Sequence, residues 1–260
     1  NRVVNVGLCC MRASVRRGGC RTSIPDNPGM RHDTTSTPVP DTEGAAIQAP
    51  TRETIGGWIL AGGRGARMGG KDKGLLLLHG QALVHWVLRR LRPQVASVAI
   101  NANRNESAYA QLGVPIHGDG RDDFQGPLAG FATALAHLST PWVLTVPCDT
   151  PLFPADLAAR LAHAAWQAGT PIAMAAAPRP DGSLQPQPVF CLMHRSLATS
   201  LNESLASGER RIHHWAMAQG CTLVPFGPPQ DDPMAFYNVN TPAELAQLQA
   251  QAPETRQTMT

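Results

Sequence analysis

The stretch that decides the fold is residues 55–74, which read IGGWILAGGRGARMGGKDKG. Its first seven residues are apolar or glycine, which is typical of a buried strand. The strand leads into a loop, residues 60–74, that contains six glycines and four cations. Glycine lets backbone N–H groups close around an anion, and loops that follow parallel strands commonly bind ligands. We therefore favour a polyphosphate site here over a flexible, charged surface loop.

The loop does not match two common phosphate-binding motifs. Residues 65–71 satisfy G-x-x-x-x-G-K, but Asp72 stands where a P-loop needs Ser or Thr to bind magnesium. The dinucleotide pattern G-x-G-x-x-G also fails, because Met68 occupies the position of its last glycine. By motif, the chain is neither a P-loop ATPase nor a Rossmann dehydrogenase.

Strand and helix patterns alternate from about residue 54 to residue 250. The predicted strands are 55–61, 95–101, 114–117, 142–146, 172–177, 189–193 and 222–225. The predicted helices are 81–91, 106–112, 128–138, 154–168, 197–205, 209–218 and 242–249. This alternation predicts an α/β fold, a three-layer α-β-α Rossmann-like sandwich with a mostly parallel central sheet.

Composition divides the chain into a domain and two tails. Of the 260 residues, 43% are hydrophobic and 16% charged, which suits a globular protein with a sizeable core. Residues 1–53 are rich in Pro, Thr, Asp, Arg and Gly and have almost no apolar periodicity, so we expect a disordered N-terminal tail. Residues 251–260 are expected to be a second disordered tail, and 54–250 the domain, active without residues 1–53.

Charge, hydropathy and cysteine usage exclude several classes of protein. The net charge is +3, and residues 1–23 hold five arginines and no acid, so the remainder is slightly acidic and offers no basic face for nucleic acid. No apolar run approaches the roughly 18 residues of a membrane-spanning helix, and no signal peptide is evident. The six cysteines lack zinc-type spacing and suggest reduced thiols. We expect a cytoplasmic protein with no membrane or nucleic-acid partner.

An acidic residue follows the predicted strand 142–146. Asp149 lies in the segment Pro147-Cys148-Asp149-Thr150-Pro151, and a carboxylate at the end of a strand in an open sheet faces the ligand crevice. Magnesium is commonly held by one or two carboxylates together with substrate phosphates. The alternative is an Asp that caps the helix starting at Pro154. Together with the cationic loop, the segment favours a metal ligand.

A glycine-rich segment, residues 126–130 (GPLAG), opens a predicted helix. Its exposed N–H groups either face an anion or merely start the helix. Three acids, Asp119, Asp122 and Asp123, lie just before it. We expect one of them at most to reach a ligand and the others to be solvated.

Two later segments carry polar side chains that suit a ligand. In residues 238–242 (NVNTP), the alternation places Asn238 and Asn240 on one face, although Asn240 or Thr241 can equally cap the following helix. Near the start of another helix, Arg210 and Arg211 oppose the helix dipole. An anionic substrate would explain this pair, and a solvated pair is the alternative.

Taken together, these segments closely resemble the molybdenum cofactor guanylyltransferase (MobA) family, nucleotidyltransferases with a glycosyltransferase-A-like fold. The resemblance spans residues 57–248, and six blocks occur in the family's order: 60–74, 101–104, 126–130, 147–151, 208–211 and 238–242. It implies a fold of the nucleotide-diphospho-sugar transferase type. Lys71 stands where the family's loop is expected to vary.

The resemblance implies a reaction and a set of partners. GMP would be transferred from GTP to the terminal phosphate of molybdopterin, or of molybdenum-molybdopterin, with magnesium as cofactor and release of pyrophosphate. Other proteins of molybdenum cofactor biosynthesis and molybdoenzyme chaperones are the implied protein partners. Two alternatives stay open: a CTP-using transferase for a pterin or sugar phosphate, and a non-catalytic carrier that binds GTP or the cofactor.

The resemblance also implies roles for residues of this chain. The implied nucleotide-binding residues are Leu60, Ala61, Gly62, Gly63, Lys73, Asn101, Asp119 and Asp149. The implied residues that bind the pterin substrate or shape its site are Gly126, Gly130, Arg210 or Arg211, Asn238 and Asn240. The implied catalytic residues are Arg67, Lys73 and Asp149, with Asp149 also the magnesium ligand. Gly70 is expected to shape the loop.

Overall fold

The computed structural model describes residues 47–62, 72–119 and 126–251. Its strands are β1 Ile55–Leu60, β2 Leu77–Leu78, β3 Gln81–Ala82, β4 Ser97–Asn101, β5 Ile116–His117, β6 Trp142–Pro147, β7 Ile172–Pro178, β8 Leu184–His194 and β9 Thr222–Pro225. Its α-helices are α1 Leu83–Leu91, α2 Glu106–Ala110, α3 Pro127–His137, α4 Leu157–Ala168, α5 Ala198–Ala206, α6 Ile212–Ala218 and α7 Pro242–Gln251.

Among the described strands, seven form one sheet in the order β5-β4-β1-β6-β8-β7-β9. β1 lies at its centre and pairs in parallel with β4 and β6. β8 is antiparallel to both β6 and β7, whereas β9 is parallel to β7. The short strands β2 and β3 form a separate antiparallel hairpin. The predicted α/β fold with a mostly parallel sheet is confirmed.

Helices cover both faces of this sheet, so the central strand is apolar throughout. Ile55 and Ile59 of β1 face a cluster that includes α1 and α4, and Trp58 faces a second cluster that includes α3 and α6. All three side chains are at most 1% exposed. β1 also holds two glycines, because Leu91 and Val95 press on Gly57, and Leu138 and Thr140 press on Gly56. Three layers result, as predicted.

Some element boundaries differ from the sequence prediction. The predicted helix 81–91 begins at Leu83. The two residues before it form strand β3, because a turn at His79 and Gly80, both with positive φ, reverses the chain after β2. The predicted helix 209–218 begins at Ile212, because the Glu209 carboxylate accepts the N–H groups of the next two residues. The strand predicted at 189–193 extends over residues 184–194.

The residues just before β1 contact the domain. Trp142 Nε1 donates to the Gln48 carbonyl at 3.3 Å, and Arg52 Nε donates to the Pro93 carbonyl at 3.0 Å. The rest of the predicted N-terminal tail, residues 1–46, and residues 252–260 lie outside the described residues. No helix within the described ranges has the length and apolar character needed to span a bilayer.

Candidate active site

Three neighbouring strands end level with one another at one edge of the sheet. Leu60 at the end of β1 is in register with Asn101 of β4 and with Pro147 of β6. Beyond the strands, Ala61 N donates to the Asn101 carbonyl at 2.8 Å, and Cys148 N donates to the Leu60 carbonyl at 3.1 Å. The polar residues that follow these strands therefore share one crevice, the usual ligand site of an open α/β sheet.

Lys73 and Asp149 meet in this crevice. Lys73 Nζ lies 3.2 Å from Asp149 Oδ2 and donates to Asn240 Oδ1 at 2.5 Å. The lysine side chain is 25% exposed and the aspartate 15%, so both are reachable by a ligand. We call Lys73, Asp149, Asn238 and Asn240 the lysine cluster.

Burial alternates along the segment that carries the two asparagines of this cluster, with Asn238 exposed and Asn240 half-buried on either side of a buried residue. Val239 between them is fully buried, and its N–H donates to the Asp149 carbonyl at 3.0 Å. Thr150, itself fully buried, donates its hydroxyl to Asn238 Oδ1. Thr241 accepts the Glu244 N–H at 3.2 Å and so caps α7, whereas the Asn240 side chain is bound by Lys73.

A second polar group, which we call the aspartate frame, surrounds Asp119. Asn101 Nδ2 donates to Asp119 Oδ1 at 2.8 Å, and Asn103 Nδ2 donates to Oδ2 at 2.6 Å. Asn103 Oδ1 in turn accepts the Asp119 N–H at 2.7 Å. Thr133 of α3 reaches Oδ1 at 3.3 Å. Gly62 lies over this frame, since a Cβ there would lie 3.1 Å from Asn103 Nδ2.

Glycine is required at the two ends of segment 126–130 for two different structural reasons. Gly126 has a φ of 82°, which a glycine adopts at little cost, and it precedes the first turn of α3. Gly130 lies against the end of β1, because a Cβ there would clash with Leu60 Cδ2 and lie 2.8 Å from Asn101 Oδ1. Gly130 thus lets α3 approach the residues predicted to bind the nucleotide.

Arg210 and Arg211 lie at the start of α6, and their side chains are exposed. Arg210 Nη1 donates to the Leu205 and Glu209 carbonyls, and Arg211 Nε lies 3.3 Å from Glu209 Oε1. Hydrogen bonds from the Arg211 N–H and from His214 lower the pKa of Glu209 to about 2. The Arg210 backbone approaches Gly126: a Cβ on this glycine would lie 3.8 Å from the Arg210 carbonyl oxygen.

Several predicted positions lie outside the described residues. They are Gly63, Arg67, Gly70, Lys71, Asp122 and Asp123. The roles expected of Gly63, Arg67 and Gly70 stay predictions.

Sequence reasoning assigned no role to several residues that hold the site together. Asn103 had a signal, because it alternates with Asn101 and so shares its face. Thr133 follows Gly130 by three residues and therefore lies on the same face of α3. Thr150 had no such signal in the sequence, because threonine is a common residue at the end of a strand.

Asp149 suits a magnesium ion. No group of three His, Cys, Asp or Glu side chains within the described ranges is placed to hold a metal, so an ion here would share Asp149 with substrate oxygens. Asp149 Oδ1 accepts the Thr150 hydroxyl at 3.4 Å, longer than a good O–H···O bond, so this contact leaves the oxygen able to bind a cation. A hard oxygen donor beside phosphates is the ligand set that magnesium prefers.

The thiol next to Asp149 is not equipped to act as a nucleophile. Burial, reinforced by the nearby Asp149 and Asp72 carboxylates, raises the pKa of Cys148 well above its usual value. The thiol therefore stays protonated at neutral pH, and the thiolate is the reactive form.

A mostly parallel sheet, a glycine-rich sequence after its central strand and a lysine paired with a strand-end aspartate are the features expected of a nucleotidyltransferase. The family model described as the MobA-like NTP transferase domain matches residues 57–221. The chain belongs to this family, and the resemblance seen in its motifs is confirmed.

Relatives extend the match beyond the family model. A protein of Acidovorax sp. (strain JS42) is 56% identical over 200 residues, which cover 75% of this chain and 95% of that protein. A protein of Bordetella pertussis is 51% identical over 199 residues, which cover 76% of this chain and 98% of that protein. Both are named molybdenum cofactor guanylyltransferase.

Solved structures agree on the fold. Molybdopterin-guanine dinucleotide biosynthesis protein A from Archaeoglobus fulgidus superposes with a TM-score of 0.61 at 21% identity, covering 75% of this chain and 97% of its own. The 2-C-methyl-D-erythritol 4-phosphate cytidylyltransferase from Thermus thermophilus gives 0.55 at 18% identity, covering 75% and 96%. Since the same fold serves a cytidylyltransferase, the fold alone does not decide which nucleotide is used.

Proposed function

We propose that this protein transfers GMP from GTP to the terminal phosphate of molybdopterin, or of its molybdenum-loaded form, and releases pyrophosphate. The observation that carries the proposal is the identity of 51–56% to molybdenum cofactor guanylyltransferases over 95–98% of their lengths. The aspartate frame, at the ends of β4 and β5, and the lysine cluster, which contains Asp149 beyond the end of β6, lie on either side of β1 and support it.

The geometry supports one orientation of GTP. The aspartate frame around Asp119 has amide and carboxylate groups that suit a nucleoside. Lys73 carries the positive charge that suits a triphosphate. Because Leu60 is in register with both Asn101 and Pro147, Gly62 lies between these two groups, where its backbone can follow the nucleotide from nucleoside to phosphates.

The reaction needs no general base. The attacking group is a phosphate oxygen of the pterin substrate, which is already ionised at neutral pH. The barrier arises from repulsion between two phosphates and from charge that builds on the departing pyrophosphate. Lys73 offsets this charge directly, and a divalent ion held by Asp149 would offset more of it, so the protein contributes positioning and electrostatic stabilisation.

We propose magnesium as the ion that Asp149 holds together with phosphate oxygens of GTP. The chemistry supplied by magnesium there is neutralisation of phosphate charge. When the ion binds Asp149, it would take the place of the Lys73 ammonium as the partner of that carboxylate. The Lys73 side chain would then be free to bind a phosphate.

The pterin substrate would bind beside the lysine cluster. Because Thr150 donates to Asn238 Oδ1, the Asn238 NH₂ group is directed away from Thr150 and is available to an acceptor on the ligand. We propose Asn238, Asn240 and the Gly126 region for this substrate, with Arg210 or Arg211 contacting its phosphate.

The proposed location is the cytoplasm, where GTP and the other proteins of molybdenum cofactor biosynthesis would be available.

The test is a transfer assay with purified protein, magnesium, molybdopterin and either GTP or CTP. We expect pyrophosphate release and a guanine dinucleotide product with GTP, and much lower release with CTP. The Lys73→Ala variant serves as the matched inactive control. Preferred use of CTP would make the protein a cytidylyltransferase, and GTP binding without pyrophosphate release would make it a carrier.

A further inference from the structure

Asp72, next to Lys73, is a buried carboxylate that the proposed chemistry does not use. The residue is 8% exposed, and its side chain is 4% exposed. A buried charge is costly unless it is paired and hydrogen-bonded. The partners of Asp72 therefore indicate its role.

Three hydrogen-bond donors surround the Asp72 carboxylate. Tyr109 Oη donates to Oδ1 at 2.6 Å, and Gly74 N donates to the same oxygen at 3.2 Å. Asn105 Nδ2 donates to Oδ2 at 3.0 Å, and Arg104 Nε lies 3.9 Å from it. A carboxylate has about four acceptor sites. Asp72 thus has little capacity left for a metal ion or a water, and it serves as an anchor within the protein.

The anchor fixes the backbone that carries Lys73. Asp72 is the N-cap of a short 3-10 turn over Lys73–Leu75, and its side chain accepts the Gly74 N–H. Gly74 packs so closely that a Cβ would clash with the Tyr109 hydroxyl and lie 3.3 Å from Cys148 Sγ. The turn is therefore held between α2 and the residue before Asp149. Asn105, with a φ of 54°, precedes α2 and completes the contact.

The tyrosine is a reliable donor in this arrangement. Burial, followed by the nearby Cys148 and the hydrogen bond to Asp72, raises the pKa of Tyr109 well above its usual value. Its hydroxyl keeps its proton at every physiological pH and has one strong acceptor, Asp72.

We propose that Asp72, held by Tyr109 and Asn105, is a positioning residue that aligns Lys73 for the triphosphate of the nucleotide. The inference rests on the proposed function, since it assigns Lys73 to GTP. A lysine side chain has four rotatable bonds, so its Nζ has a defined position only if its Cα is fixed. Asp72 ties that Cα to α2, which directly follows the strand that carries Asn101. One carboxylate thus links the phosphate side of the crevice to the nucleoside side.

The experiment is a double-mutant cycle read by titration with GTP and magnesium. The variants are Asp72→Asn, Tyr109→Phe and Lys73→Ala, with each of the first two also combined with Lys73→Ala. Both conservative changes keep the shape and remove a donor or an acceptor. Asp156→Asn is the matched control, because it makes the same change at an exposed helix N-cap whose side chain makes no cap hydrogen bond.

We expect Asp72→Asn and Tyr109→Phe to weaken GTP binding on the order of tenfold, since misplacing a contact group by about 1 Å is costly. In the Lys73→Ala background the same changes should weaken binding by less than about twofold, because the group they position is gone. Thermal stability should fall equally in both backgrounds. Asp156→Asn should leave GTP binding unchanged.

Equal losses of GTP binding with and without Lys73 would overturn the inference and assign Asp72 a general structural role. If Asp72→Asn fails to fold, Tyr109→Phe alone completes the cycle. Wild-type protein that binds GTP but releases no pyrophosphate would overturn the proposed reaction and leave the cycle valid. Wild-type protein that does not bind GTP would overturn both.

Discussion

Lys73 Nζ lies 3.2 Å from Asp149 Oδ2, so the cation assigned to the phosphates and the anion assigned to magnesium neutralise each other. Neither charge is left uncompensated in a crevice that is partly shielded from water. Binding of a magnesium–triphosphate complex would supply each group with a new partner of opposite charge, so neither charge would be left unpaired when the ion pair opens.

The first prediction concerns Asp149. The Asp149→Ala variant should lose turnover by about 100-fold or more, because the metal ligand is removed where charge builds in the reaction. Its melting temperature should change little, since a partly exposed ion pair contributes about 0–1 kcal/mol. Pyrophosphate release and thermal unfolding measure the two effects. Near-normal turnover at ordinary magnesium would remove Asp149 from the metal site.

The second prediction concerns Thr150, whose hydroxyl donates to Asn238 Oδ1. In Thr150→Val the shape is kept and the donor lost, so the Asn238 amide is free to flip. We expect the KM for molybdopterin to rise about tenfold, the scale of one hydrogen bond, while the KM for GTP changes little. Thr150→Ser keeps the hydroxyl and should behave like the wild type. Equal behaviour of the two variants would show that the hydroxyl does not orient Asn238.

The third prediction concerns the aspartate frame. Asn103→Ala removes two hydrogen bonds of Asp119, those at 2.6 and 2.7 Å. We expect the KM for GTP to rise about tenfold with a smaller change in kcat, because binding of the nucleoside and not the transfer step is affected. Thr133→Val removes one contact of Asp119, at 3.3 Å, together with the bond of the same hydroxyl to the Ala129 carbonyl, and should have a weaker effect in the same direction. An unchanged KM for GTP in Asn103→Ala would separate the frame from the nucleotide.

The fourth prediction concerns Gly130. In an open helix, Gly→Ala stabilises by about 1 kcal/mol. Here the added Cβ would clash with Leu60 and lie 2.8 Å from Asn101 Oδ1, so we expect Gly130→Ala to lower both the melting temperature and GTP affinity. Ala136→Ser, an exposed change on the same helix, is the control. A more stable and fully active Gly130→Ala protein would contradict the predicted contact.

The fifth prediction concerns the dependence of stability on pH. The His117 and His137 rings stack with centroids 4.1 Å apart, and burial followed by the charge of His137 lowers the pKa of His117. The unfolded chain therefore binds more protons than the folded one as the pH falls through about 6.5. Stability should decrease on acidification, beginning near that value, and His194, whose pKa is also lowered by burial, adds in the same direction.

Thermal melts between pH 8 and pH 5 at fixed ionic strength measure this effect. His117→Gln should flatten the decrease, because a neutral amide takes the place of the stacked imidazole. A variant with the full wild-type slope would assign the acid sensitivity to other groups. Because His117→Gln also removes the ring that stacks against Trp58, at a centroid distance of 5.5 Å, the melting temperature of each protein at pH 8 is the reference for its own slope.

The layers of the fold and one half of the site were accessible from the sequence because they depend on local patterns. The apolar strand before the glycine-rich loop marks β1, and a carboxylate or amide directly after a strand marks the crevice, as at Asn101 and Asp149. Predictions failed where hydrogen bonds of a side chain, which the apolar pattern does not show, decide the local structure. The pattern of residues 209–218 gives no sign that the Glu209 carboxylate accepts the N–H groups of Arg210 and Arg211 and that the helix begins only at Ile212.

The positioning residues were missed for a related reason. Asp72 looks like one more charge in a cationic loop, and only its contact with Tyr109, 37 residues later, makes it an anchor. Val239 looks like an ordinary apolar residue between two asparagines. Its burial against the hairpin of β2 and β3 becomes visible only when α7 packs there.

Helix α7 gives the C-terminal part of the chain a role in the crevice. Leu248 packs in the same cluster as Leu78, and Gln249 Nε2 donates to the Leu77 carbonyl at 3.2 Å, within a few residues of the turn that holds Lys73. Asn238, Asn240 and α7 all lie beyond residue 221, where the family match stops. A protein trimmed to that matched segment would lose β9 and the first two residues of β1, and it would lack Asn238 and Asn240, beside which we propose that the pterin substrate binds.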